Sequence, residues 1–446
     1  MMDLLQRIAA YIRKHRLMDT GKRYLVALSG GADSVCLLRA LLMLGYRVEA
    51  VHCNFNLRGV ESKRDEEFVR NICQILNVEL HVTHFDTKTY AELHKVSIEM
   101  AARALRYGYF EQLRQDIGAD DICVAHHADD SIETMLINLI RGTGLHGLTG
   151  IKPRNAHIIR PLLAVRRNDI TAWLKSIGQD YVTDSTNLKP NVMRNKVRLQ
   201  VLPLLRTLSP GIDGSILATA AHLTETERVY DAAVKASEER VVCKNSVDIY
   251  TLLNEPSPES ILHYWLKKYS FSSASIEEIA HSLNNPRTGS VWTSATHQLT
   301  IHRGRIILEP LQEDLPTLRM PETGNYVYRT RDIMIRLRLC EGGKVSKAPW
   351  TASLDASKIQ FPLTLRPVQP GDRFLPYGMK GTRLVSDYLT DRHLSIFEKR
   401  RTLVLCDDQG RILWLVGHRT ASPFCVTPST SKTLVAVWEE SNRISQ

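Results

Sequence analysis

Ser29-Gly30-Gly31-Ala32-Asp33-Ser34 sets the architecture of the chain through what flanks it. Before it runs Tyr24-Leu25-Val26-Ala27-Leu28, an apolar stretch that reads as a buried parallel strand. After it, residues 35–44 form a Leu-rich run with the character of a buried helix. A strand that turns through two glycines into a helix N-terminus offers backbone N–H groups and the positive end of a helix dipole. Phosphate is the natural guest of such a turn. No Gly-Lys-Ser/Thr follows, so the turn is not a Walker A loop, and it lacks the spaced glycines of dinucleotide folds. A purely structural turn, with Ser and Asp serving only as caps, would carry the same letters.

The chain continues in the same style. Strand candidates at 24–28, 47–52, 79–83 and 121–125 alternate with helix candidates at 35–44, 62–76, 98–117 and 130–141. That alternation predicts an α/β fold built on a doubly wound parallel sheet. Ligands of such sheets bind beyond the carboxyl ends of the strands. The chemically interesting residues fall there: Ser29 to Ser34, His52 and Asn54, and His126 to Asp130.

With 446 residues the chain is too long for one ordinary core. Four segments are expected. Residues 1–210 form the α/β domain with a basic segment, 211–310 a small helical or mixed domain, 311–331 a linker carrying two prolines, and 332–446 a mainly β domain dense in turn signals. A long helix is expected over 212–242, and paired strands around His302-Arg303-Gly304. The eight cysteines include no C-x-x-C pair, which suits neither a disulfide framework nor a zinc or cluster site. No segment reads as a signal peptide or a membrane span, and a cytoplasmic setting is expected.

The net charge is +10, and its location says more than its total. Residues 141–206 hold twelve Lys or Arg against three Asp. Such a bias beside a phosphate loop points to nucleic acid.

Three further clusters carry chemistry. His126-His127-Ala128-Asp129-Asp130-Ser131-Ile132-Glu133-Thr134 opens a helix, and Asp130 with Glu133 has the spacing of a capping box. The same turn gathers carboxylates that suit either Mg²⁺ on ATP phosphates or a cationic substrate. Glu99, Arg103 and Arg106 share a helical face, so a surface i,i+4 ion pair and a phosphate contact by Arg103 both fit. Asp184-Ser185-Thr186-Asn187, followed by Arg194 and Arg198, reads as a turn before a basic helix.

In this order the motifs resemble the tRNA(Ile)-lysidine synthetases of the PP-loop (ATP pyrophosphatase) superfamily. The resemblance is carried by Ser29–Ser34, His52–Asn54, Glu99–Tyr107, His126–Thr134, Arg141–Leu148, Arg160–Leu163, and Asp184–Asn187 with Arg194–Arg198. It extends to residues 365–376 and 380–400, and weakens only over about 245–330. One departure is Cys53-Asn54 after His52, where many relatives place a second histidine.

The resemblance implies an ATP-dependent ligase that joins free lysine to C2 of the wobble cytidine in an isoleucine tRNA with a CAU anticodon. Adenylation of the base comes first and releases pyrophosphate; attack by the lysine amine then releases AMP. By the same resemblance, Ser29, Gly30, Gly31, Ala32, Asp33 and Ser34 bind ATP, and Asp33 and Asp129 hold Mg²⁺. Asp33, Arg103, Asp130 and His52 are the catalytic candidates, with Asp130 and Glu133 binding lysine. Arg194, Arg198, Arg373, Lys380 and Arg383 are the tRNA-binding candidates. A homodimer is the remaining partner expectation. The rival readings are another PP-loop tRNA-modifying enzyme, such as a base thiolase, and a non-catalytic tRNA-binding protein.

Overall fold

The computed structural model describes residues 3–183, 193–328, 330–343, 345, 346 and 348–440. The chain divides into two compact units, Met1–Asp231 and Ala232–Gln446.

The first unit is built on a sheet whose spatial order follows from its connections. Strands β1 (Arg23–Ala27), β2 (Arg47–Asn54), β3 (Leu80–His84), β4 (Asp121–Cys123), β5 (Arg154–Asn155) and β6 (Ile158–Ile159) lie in the order β3-β2-β1-β4-β6-β5. All pairings are parallel except that of β5 with β6. The chain winds outward from β1 through β2 to β3, then returns to place β4 on the other side of β1. The reversal opens a crevice between β1 and β4, where ligands of doubly wound sheets bind.

The connecting helices are α1 (Leu4–His15), α2 (Ala32–Met43), α3 (Val60–Leu76), α4 (Thr87–His94), α5 (Ile98–Asp116), α6 (Ala128–Ile140), α7 (Leu145–Leu148) and α8 (Arg167–Ser176). Leu4, Ile8 and Ile12 recur every four residues along α1, so one stripe of it is buried. Helix α2 is apolar nearly all round, and Val35, Leu37, Leu38, Ala40 and Leu41 have no exposed surface. That burial pins the helix whose N-terminus forms the phosphate loop. Ser97 caps α5 by accepting from the Met100 N–H at 3.2 Å.

The expected strands and helices are present, with ends shifted by at most three residues. Inside the basic segment, however, lie β6 and α8, for which the sequence carries no expectation beyond loop. A two-residue strand is too short to show a period. Beyond it come α9 (Met193–Lys196), a π-helical turn (Val197–Val201), α10 (Leu202–Leu208) and α11 (Ile212–Val241).

In the second unit, a five-stranded antiparallel sheet contains the hairpin His297–His302 with Arg305–Pro310. Its two-residue turn has Arg303 and Gly304 at φ of 49° and 73°, the geometry that two-residue hairpins favour. The rest is β-rich, with a second five-stranded sheet and a four-stranded one. The stretch expected as a linker is not structureless: Leu318–Met320 pairs with Leu363–Pro367, and Gly324–Tyr328 with Thr330–Glu341. Its prolines mask those short strands. No helix among the described residues is long and apolar enough to cross a membrane.

Because Leu38 is fully buried on the phosphate loop's own helix, Leu38→Ala is expected to cost about 2–5 kcal/mol. Chemical denaturation followed by far-UV circular dichroism measures it.

Candidate active site

The phosphate loop is folded by its own polar atoms. The Ser34 hydroxyl donates to the Gly31 carbonyl at 2.9 Å and accepts from the Ser29 N–H at 3.2 Å. The two serine hydroxyls lie 3.1 Å apart. Ser34 is buried, so its hydroxyl builds the turn rather than reaching outward. Gly30 sits at φ +88°, and a Cβ there would come within 3.3 Å of Val69 Cγ2. Only glycine meets both conditions at no cost. From the far side, the Val182 N–H donates to the Gly30 carbonyl at 2.9 Å.

This loop and the end of β4 line an open cleft of about 1300 Å³. Four carboxylates gather on that side. His127, 4% exposed, caps α6. Its Nε2 lies 3.8 Å from Asp33 and 3.5 Å from Asp130, and its Nδ1 lies 3.5 Å from Asp129. Burial alone would depress the His127 imidazole, but the carboxylates of Asp129, Asp130 and Asp33 outweigh it and lift it above its ordinary value.

Asp130 accepts from the His127 backbone N–H at 3.0 Å, so the capping box of α6 pairs His127 with Asp130. This corrects the pairing of Asp130 with Glu133 that the sequence spacing suggests. The helix starts at Ala128, two residues earlier than expected, which moves Glu133 into the second turn. There Glu133 is 1% exposed and gripped by Arg198 through two hydrogen bonds, at 2.6 and 3.1 Å. Arg194 stands 3.6 Å from the same carboxylate and donates to Thr134 Oγ1 at 3.1 Å. The two arginines expected as tRNA contacts are thus engaged with α6.

Asp129 turns toward the start of α8. It accepts from the Arg167 N–H at 2.8 Å and from Arg166 at 2.9 Å. Burial alone would raise this carboxyl, but the nearby His127 ring and the hydrogen bonds from the Arg167 amide and Arg166 hold it well below the carboxylate range. Arg166 also pairs with Asp213 at the head of α11, and Arg206 of α10 binds Asp213 at 3.0 Å. Asp129, Arg166, Asp213 and Arg206 therefore tie four helices together along the cleft. Both oxygens of Asp129 are thus engaged in holding the start of α8.

Asp33 differs. One of its oxygens pairs with Arg167, and the other, Oδ1, is buried without a hydrogen-bond partner. A lone carboxylate oxygen beside an anion-binding loop fits a divalent cation that also contacts phosphate. Arg103 lines the opposite wall, exposed, with its guanidinium 5.0 Å above the Tyr107 ring. Among the described residues no carboxylate pairs with it, Glu99 included. Arg106 lies over Phe55 at 5.1 Å on the same wall.

His52 is not brought into this group. Val51, Cys53 and Phe55 line the cleft, and the alternation of a strand sends His52 to the opposite face. It is buried there, with Nδ1 2.9 Å from the Leu28 carbonyl. Burial pushes its imidazole down. The period-2 pattern around it is the signal that could exclude it. Asp184, Ser185, Thr186 and Asn187 lie outside the described residues. In the second unit, Arg373 and Lys380 are exposed, whereas Arg383 is bonded to Asp391 at 2.6 Å. Reading the sequence alone misses Arg166, Arg167, Arg206 and Asp213. The only trace of the arginines is the density of basic residues over 141–206, and Asp213 has none.

A model of the PP-loop domain matches residues 3–205, the TilS substrate binding domain matches 244–311, and the TilS substrate C-terminal domain matches 363–438. The tRNA(Ile)-lysidine synthase of Bacteroides thetaiotaomicron is 43% identical, covering 96% of this chain and 98% of that protein. The Parabacteroides distasonis counterpart is 42% identical over 97% and 99%, and one from Porphyromonas gingivalis 38% over 95% and 96%. A crevice at the sheet's reversal point, lined by a phosphate loop, and kinship along nearly the whole length lead to one conclusion: the chain belongs to the tRNA(Ile)-lysidine synthase family of ATP-dependent ligases.

Proposed function

We propose that the cleft between the phosphate loop and α6 is where ATP, lysine and the wobble cytidine of tRNA(Ile) meet. The observation that carries this reading is the combination in one crevice of an anion-binding loop, an Asp33 Oδ1 that lacks a hydrogen bond and an Arg103 with no carboxylate partner among the described residues.

In this reading the N–H groups of Gly30, Gly31 and Ala32 hold the β- and γ-phosphates, which depart as pyrophosphate when the cytosine O2 attacks the α-phosphate. Arg103 neutralises charge that builds on the transferred phosphoryl oxygens, doing part of the work of the lysine a Walker loop would supply. Asp33 would hold Mg²⁺, with Asp129 kept at the start of α8; the ion would add charge neutralisation on the phosphates. Phe55 and Tyr107 line the same cleft, and a base drawn out of the anticodon stack would enter beside them. Asp130 faces the cleft and suits the lysine ammonium. Glu133 reaches the substrate only where Arg198 gives way.

The α/β portion, residues 1–210, does the chemistry. The parts at 211–310 and 332–446, joined through 311–331, would grip the tRNA body, with Arg373 and Lys380 available for phosphate. Arg383 joins them by leaving Asp391. For a homodimer, the exposed Leu139, Ile140, Leu204 and Leu208 are the apolar side chains that favour it. Sedimentation equilibrium decides it.

The reaction is tested by transfer of radiolabelled lysine to an unmodified CAU tRNA(Ile) transcript. Label is expected only with ATP, at the wobble cytidine; incorporation independent of ATP would overturn the reading. Asp33→Ala is expected to abolish AMP formation while leaving tRNA binding by filter retention unchanged. Arg103→Ala should lower the single-turnover adenylation rate by about 10²–10³. Glu133→Gln is expected to destabilise by about 1–3 kcal/mol, because Arg198 loses its buried partner. It should raise the KM for lysine less than Asp130→Asn does. The reverse order would make Glu133 the principal ammonium ligand.

A further inference from the structure

His126 lies in the turn after β4 and is one of the residues that line the cleft, with Ser29, Asp33 and Arg103. Directly behind it lies Arg160, between β6 and the 3₁₀ turn Pro161–Ala164. Arg160 is 8% exposed, and no carboxylate among the described residues pairs with it. Its Nε donates to His126 Nδ1 at 3.2 Å, and its Nη1 donates to the Lys152 carbonyl at 2.8 Å.

A guanidinium has five N–H donors, no acceptor, and stays charged at any pH a protein survives. The atom facing it must therefore carry a lone pair. That assigns the Nδ1 lone pair of His126 to Arg160, and the single proton of the neutral ring to Nε2. The same contact opposes a second proton on the ring. Asp130 of α6 favours the imidazolium, whereas Arg160, Arg194 of α9 and Arg103 of α5 disfavour it, as does burial. Burial is the largest of these effects, and together they push the imidazole down to about 4.

We infer that Arg160 is a positioning residue that locks His126 as a neutral Nε2–H donor, so that His126 hydrogen-bonds a phosphate oxygen of the bound nucleotide and does not act as the base for the lysine amine. A phosphate oxygen is the acceptor that three guanidiniums around the ring favour electrostatically. Service as a base would need a free nitrogen lone pair, and the ring's only one is taken by Arg160. The inference rests on the cleft being the ATP site.

The test uses full-length protein carrying ring-¹⁵N histidine, with His126→Asn identifying one resonance pair among sixteen histidines. At neutral pH the His126 nitrogens are expected to show the Nε2–H tautomer alone, unprotonated down to about pH 5.5. ATP should shift the Nε2 signal. An imidazolium at neutral pH, or an Nδ1–H tautomer, would overturn the lock. An Nε2 signal unmoved by ATP that calorimetry shows to be bound would overturn the phosphate assignment. Failure of the cleft reading looks different, because ATP affinity would then also survive Asp33→Ala.

The second arm is Arg160→Met. It is expected to lose about tenfold in adenylation rate and to gain a pH limb absent from the parent enzyme. Activity should rise as pH falls through the ordinary imidazole range, because the imidazolium carries the Nε2 proton whichever tautomer the neutral ring prefers. A uniform loss at every pH would make Arg160 a packing residue only. If the variant does not fold, the spectrum of the parent protein still decides.

Discussion

Like charges crowded together set the terms of this site. Asp33, Asp129 and Asp130 all lie within 4 Å of one buried imidazole, and Glu133 follows one turn later. Two unit charges 4 Å apart repel by about 4 kcal/mol even at an effective dielectric of 20. The cluster is tolerable because arginines come to meet it: Arg166 and Arg167 from α8, Arg198 from the π-helical turn, and His127 with its lifted affinity for a proton. None of these arginines lies near its partner in sequence. The fold of the basic segment is thus a precondition of the acidic one, and the acids in turn hold the basic segment on the sheet.

This mutual neutralisation separates the carboxylates by availability. Asp129 and Glu133 spend their oxygens on structure, binding the start of α8 and the π-helical turn. Asp130 divides its oxygens between the α6 cap and Arg198. Asp33 alone keeps a buried oxygen without a hydrogen-bond partner. Four residues of the same chemical type, in two short motifs, therefore have unequal capacities for an incoming ligand. On the cationic side the division is similar. Arg166, Arg167 and Arg198 are occupied by carboxylates, whereas Arg103 rests on an aromatic face and Arg160 on an imidazole.

Much of the architecture was legible in advance. Alternation of apolar strands with helices pointed to the parallel sheet, and Ser29 to Ser34 marked its ligand-binding end, because glycines between a strand and a helix leave the chain few alternatives. Boundaries slipped where local signals overlap, as at α6, whose start two residues early moved the capping box. His52 was placed in the site by its position at a strand end, and the strand's pleat turned it away. The strands at Leu318–Met320 and Gly324–Tyr328 were hidden by proline-rich surroundings, since they owe their pairing to partners dozens of residues away or to a local hairpin with no strong turn signal.

Residue types at short spacing are enough to specify the fold class, the phosphate loop and the inventory of charged groups, and the ordered motifs carry the family resemblance that implies the chemistry. Tertiary structure alone decided which charges pair. Arg166 reaches Asp129 and Asp213, Arg198 reaches Glu133, and Arg160 reaches His126 across 37, 47, 65 and 34 residues of chain respectively. Whether an ionisable group is free to bind a substrate depends on its nearest neighbours in space, and those distances are set only once the sheet has closed its crevice and the basic segment has packed against it.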